Sequence, residues 1–230
     1  MLNSGNAIYS QRKLYLVQIC TFKDLIMPRQ LSTSLSDLIL AISAFYVANQ
    51  LYHHHLKPSV GLIIQGIAAS IGILRFSLEN PEGSLIFKGH KFFSWLAATF
   101  GIPAIALGFC GIYSSAVLAN KIIIFVAIVA VSSFFLPTNM RQLTTQAVSG
   151  FAMLTILLLC FMYRNWYGLG AAVLYVVSGL IGGSEGQIGP FYKVDILHYG
   201  LVIGNFMFWY SFPTVDPPPS SNTKHYLQNF

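Results

Sequence analysis

Asp195 and His198 stand three residues apart in an apolar run that also holds Asn205. On a helix that spacing puts both side chains on one face. A carboxylate beside an imidazole fixes the ring tautomer and raises its basicity, which suits a general base or a supported metal ligand. Asp37, Arg75 and His90 lie at the ends of other apolar runs. These residues converge only if the runs are antiparallel helices. Asp37, Asp195 and His198 are then the candidate catalytic groups. Arg75 and His90 are the candidate binders of a ligand or lipid head group. A polar cluster at membrane depth is costly unless its members satisfy one another or act on something.

Composition places these residues in a membrane. The chain is 55% hydrophobic and 9% charged, against roughly 25% charged residues in soluble domains. Its mean hydropathy is +0.63. So few charges cannot cover a soluble surface. Apolar runs fall at residues 34–52, 58–78, 92–117, 121–136, 143–163, 167–183 and 194–212. Most approach the roughly 20 residues that a bilayer core requires. They are continuous and not alternating, so the backbone must satisfy itself as helix and not as a closed barrel. The expected fold is all-α, an integral membrane bundle of seven transmembrane helices with short antiparallel connections. Pro103 should kink the third helix.

Three regions follow. Residues 1–32 form an amino-terminal segment, with Met27 an alternative start that would make residues 1–26 optional. Residues 33–212 form the bundle, and residues 213–230 a Pro- and Ser-containing flexible tail. Arg12, Lys13, Lys23, Arg29, Arg75, Lys88, Lys91, Arg141 and Lys193 fall on one side; Lys57, Lys121, Arg164 and Lys224 fall on the other. That bias puts the amino terminus in the cytoplasm. The net charge of +6 follows from the same bias, so the expected partner is the lipid bilayer and not nucleic acid.

Ordinary roles compete for each candidate. A carboxylate near a helix start, as at Asp37 and Asp195, caps free amides and favours the dipole. Arg75, His90 and Lys91 can snorkel to head groups. His198 can be a hydrogen-bonded structural histidine. The consecutive His53, His54 and His55 point in different directions on a helix and read as a polar helix end. Gly200 with Gly204, Ala68 with Gly72, and Gly108 with Gly111 and Ser115 offer small faces for close helix approach.

Seven spans with Asp37 in the first and Asp195-Ile-Leu-His198 in the last resemble the seven-helix membrane hydrolase superfamily, which includes alkaline ceramidases and the progestin and adiponectin receptors. The resemblance implies a metal-assisted hydrolase of a lipid amide or ester, with zinc held at His198 near the inner face and a lipid as substrate. The family's last helix carries two histidines four apart, and here Val202 occupies the second position. Two other readings stand beside it. One is a membrane protein without catalysis, whose cluster fixes helix packing or binds a head group. The other is a small proton-coupled transporter, with Asp and His relaying protons.

Overall fold

The computed structural model describes residues 30–79, 81–114, 116–183 and 186–213. The amino-terminal segment to residue 29, and with it the alternative start, lies outside the described residues, as does the tail from residue 214. Within them the chain is helical almost throughout. The helices are α1 (Leu31–Leu51), α2 (Leu56–Ser77), α3 (Leu85–Tyr113), α4 (Ala116–Phe134), α5 (Thr138–Met162), α6 (Trp166–Ile181) and α7 (Lys193–Ser211). Four of them, α1, α2, α3 and α5, are long and apolar enough to cross a bilayer; α6 is apolar but shorter.

Helix starts explain the differences from the expected boundaries. The third helix begins at Leu85, a full two turns before residue 92, because Ser84 caps it by accepting from the Phe87 amide at 3.1 Å. His90 therefore lies inside the helix and does not open it. The fifth begins at Thr138, directly after Pro137. Arg141 then reaches back to donate to the Phe134 and Leu136 carbonyls at 3.0 and 3.3 Å, closing the end of α4.

Pro103 does not simply kink α3. Residues Ala97–Gly101 form a π-helical turn, in which the Ile102 amide reaches the Ala97 carbonyl. Widening the turn one step ahead of the proline accommodates its missing donor and its ring. Backbone groups released in this way need partners in lipid. Ser149 of α5 supplies one, donating to the Ala98 carbonyl at 2.8 Å.

The bundle core lies where α1, α2, α3, α5, α6 and α7 meet, around Val47, Leu62, Ile105, Phe109, Ile156 and Phe208. Glycines set the closest approaches. A Cβ on Gly204 would fall 2.7 Å from the Tyr175 ring, and one on Gly108 would fall 2.9 Å from Pro58. Gly111 behaves differently from the expected small face, since a Cβ there would meet nothing; Ser115 lies outside the described residues. The connection between α6 and α7 holds a short antiparallel hairpin, Gln187–Ile188 with Phe191–Tyr192, turned at Gly189 with φ +59°. A purely helical expectation had no place for it.

Candidate functional site

The polar cluster is assembled by α1 and α7, which pack side by side. Both begin at the same end of the bundle, since Ser36 near the start of α1 touches Asp195 and His198 near the start of α7. Asp37 is the seventh residue of α1 and is 1% exposed. It is therefore past the first turn and does not cap the helix. Asp195 lies in the first turn of α7, where the dipole favours it, but the helix has no side-chain cap. His198 follows one turn inward and is buried.

Ser36 joins them. Its hydroxyl lies 2.9 Å from His198 Nδ1 and 3.1 Å from Asp195 Oδ1, as well as 3.0 Å from the Thr33 carbonyl. The other ring nitrogen, Nε2, faces Asp37 Oδ1 at 3.5 Å. His198 is thus engaged from both sides by consecutive residues of α1. Gly72 of α2 makes room for this arrangement, since a Cβ there would fall on the Asp37 carboxylate. Asp37 Oδ2 and Thr33 Oγ1 are buried with no hydrogen-bond partner among the described residues.

Arg75 and His90 form a separate pair. Arg75 Nη1 lies 2.9 Å from His90 Nδ1, and the guanidinium stacks over Phe76 and Phe87 at 4.8 and 4.7 Å from their centroids. The charge of Arg75 still bears on Asp37, while the hydrogen bond that its side chain makes goes to His90. Lys91 stacks on the same Phe87 ring and remains exposed, as a snorkelling side chain does.

A second polar layer crosses the bundle further along the same two helices. Asn205 Nδ2 donates to Ser43 Oγ at 3.3 Å, Tyr175 donates to Asn205 Oδ1, and Gln65 Nε2 donates to the Tyr175 hydroxyl at 3.2 Å. Four helices are tied at this level. Between the two layers lies an apolar one made of Leu40, Ala41 and Ala69, with Leu201 and Val202 packed against it. At the opposite end, His55 Nε2 contacts the Pro213 carbonyl at 2.8 Å, while Asn165 donates to the Tyr113 hydroxyl and the Ser211 carbonyl.

The chemistry available is proton holding. In order of contact, Ser36, His198 and Asp37 match a nucleophile, a base and an orienting carboxylate. Ser36 is fully buried, however, so no acyl group reaches its oxygen in this conformation. The residues also do not fit the zinc site that the resemblance implies. Among the described residues no three His, Cys, Asp or Glu side chains are grouped to hold a metal ion, and His90 turns its Nδ1 to a guanidinium. Catalytic zinc takes three protein ligands.

Ser36 and, in the second layer, Ser43, Gln65 and Tyr175 are what reasoning on the sequence missed; Asn205 stood out as a polar residue on the face of Asp195 and His198. Ser36 adjoins Asp37, so one of its neighbours was already a candidate. Ser43 and Asn205 each follow the first layer by seven residues, a two-turn repeat that places them on the same seam.

No family model matches the chain, and no solved structure matches it. It is similar to transmembrane protein 276 of Homo sapiens, 24% identical over 178 residues that cover 77% of this chain and 89% of that protein. Transmembrane protein 276 of Rattus norvegicus is 25% identical over 178 residues, with the same shares covered. The protein of that name from Bos taurus is 25% identical over 181 residues. Long apolar helices and similarity to proteins named for their membrane spans together identify this chain as a transmembrane protein.

Proposed function

We propose that the chain crosses the bilayer seven times, with its amino terminus in the cytoplasm, and that its activity rests on binding and not on hydrolysis. In this reading Ser36, Asp37, Asp195 and His198 form a proton-holding clasp that locks α1 to α7 at the cytoplasmic end. One observation carries it: both ring nitrogens of His198 are engaged by α1. A residue used in that way is a joint. Arg75 and His90, at the rim of the same end, are the pair available to a lipid head group.

Two measurements test this. Single cysteines at Glu82 and His54 should label from opposite sides of sealed vesicles, and labelling of both from one side would break the seven-span topology. Detergent-purified protein should melt well below wild type when His198 is changed to Ala. Equal melting would remove the clasp. Stoichiometric zinc in the wild type that is lost in the same variant would instead bring back lipid hydrolysis as the leading reading.

A second reading, proton-coupled transport, draws on Asp37 Oδ2 and Thr33 Oγ1, which have no hydrogen-bond partner among the described residues. Buried orphan oxygens are rare and ask for a role. Substrate-dependent proton uptake in proteoliposomes, abolished in Asp37→Asn, is the result that would establish it.

A further inference from the structure

Hydrogen-bond arithmetic at Ser36 reaches beyond a joint. Its hydroxyl has a single proton and faces Asp195 Oδ1, His198 Nδ1 and the Thr33 carbonyl. A serine hydroxyl donates once and accepts twice, so it cannot donate to the carboxylate and the ring together. With Nε2 protonated and Asp37 ionised, two arrangements satisfy the three side chains. In one, an imidazolium donates from Nδ1 to Ser36 Oγ, and Ser36 donates to an ionised Asp195. In the other, a protonated Asp195 donates to Ser36 Oγ, and Ser36 donates to the bare Nδ1. In both, Nε2–H faces the Asp37 carboxylate. The heavy atoms need not move. Nδ1 gives up a proton, Ser36 takes it and passes on its own, and Asp195 gains one, so the net charge is the same in both.

We propose that Ser36 relays a proton between His198 and Asp195, making these residues with Asp37 one shared proton site. The charged and titratable groups bearing on it come from each neighbouring helix: Asp37 on α1, Arg75 on α2, His90 on α3 and Asp195 on α7. The site is one-sided. The apolar layer of Leu40, Ala41, Ala69, Leu201 and Val202 lies behind it. The next hydrogen-bonding side chains on the seam, Ser43 and Asn205, are seven residues away on each helix, about 10 Å at the helical rise. Protons therefore exchange with the end that holds Asp195 and are stopped from the other. The relay rests on the proposed clasp and adds a function to it.

The test uses full-length protein in lipid nanodiscs with nitrogen-15 histidine. The His198 ring signals are assigned with His198→Gln, and the Asp195 carboxyl band in the infrared with Asp195→Asn. In wild type the His198 ring and the Asp195 carboxyl should change protonation over one common pH interval. Ser36→Ala should split that interval into two midpoints at least tenfold apart in proton activity, and Ser36→Thr should rejoin them. Superimposable wild-type and Ser36→Ala curves would overturn the relay. Melting of the same samples reads the clasp separately: a lowered melting point with an unsplit titration means a joint without a relay. If Ser36→Ala does not fold, Asp195→Asn decides. The relay then predicts His198 locked as the neutral Nε2–H tautomer, and an unchanged His198 titration rejects it.

Discussion

The two halves of this bundle solve the problem of lipid-buried packing in opposite ways. Where α1, α2, α6 and α7 meet, polar side chains cross-link the helices and glycines bring them close; Gly72 accepts the Asp37 carboxylate, and Gly200 accepts Ser178. Where α3, α4 and α5 meet, there is a half-open cavity of about 390 Å³ lined by Pro103, Leu107, Phe125, Leu143, Val148 and their neighbours. Its hydroxyls are spent locally, with Thr144 donating to Met140 and Thr155 to Phe151 within α5. In lipid there is no hydrophobic drive between helices, so association needs close packing or interhelical hydrogen bonds. The first half has both. The second half has interhelical bonds as well, from Ser149 to Ala98 and from Thr99 to Thr145 between α5 and α3, but the recess on the α4 side has an apolar lining, and there one helix can shift against another at least cost.

That contrast can be broken first at Gly72. Gly72→Leu forces a side chain onto a buried carboxylate, combining overpacking with a displaced charge, and should cost more than about 3 kcal/mol. It should abolish the monodisperse peak in size-exclusion chromatography. Gly150→Ala, on a helix position where a Cβ meets nothing, should leave that peak intact. His198→Ala comes next. It leaves Asp37, Asp195 and Ser36 without their shared partner, and a loss of about 1.5–3 kcal/mol is expected from removing a buried hydrogen-bond partner of charged groups, read as thermal melting in detergent. Asn205→Leu should cost less, about 1 kcal/mol, because interhelical hydrogen bonds in membranes are individually modest. The smallest effect belongs to the looser half. Ala147→Leu fills space at the recess and should move stability by under about 1 kcal/mol in either direction. A large loss there would show that the recess is needed empty, and the contrast between the halves would need redrawing.

How much of this was legible in the sequence depends on what each feature rests on. Helices and their alternating direction follow from run length and backbone satisfaction, and these are local properties. That is why Asp37, Asp195 and His198 could be brought to one end from composition and spacing alone. Which atoms touch depends on helix rotation, which apolar runs without strong amphipathicity do not encode. Arg75 illustrates the gap: charge suggests a carboxylate partner, yet its guanidinium is held by His90 and two phenylalanine rings. Ser36 illustrates another. A lone serine in an apolar run has many uses, and only the register of α1 against α7 selects one. The boundary of α3 was obscured because Lys88, His90 and Lys91 dilute its first turns, although Ser84 supplies the cap.

The π-helical turn at Ala97–Gly101 has a consequence for how this chain can change length. Removing one residue from a long helix ordinarily rotates everything beyond the gap by about 100° relative to what precedes it. Here α3 already contains one residue more than its turns need. Taking a single residue out of that stretch would let the turn relax to ordinary α geometry while both flanks keep their bearings. Phe109 would stay in the core and His90 beside Arg75. The middle of α3 is thus a place where a spanning helix can lose a residue without scrambling its faces; with the residue taken from between Ala98 and Pro103, the Ala98 carbonyl would face the proline nitrogen, which has no hydrogen to donate, and Ser149 would remain its partner.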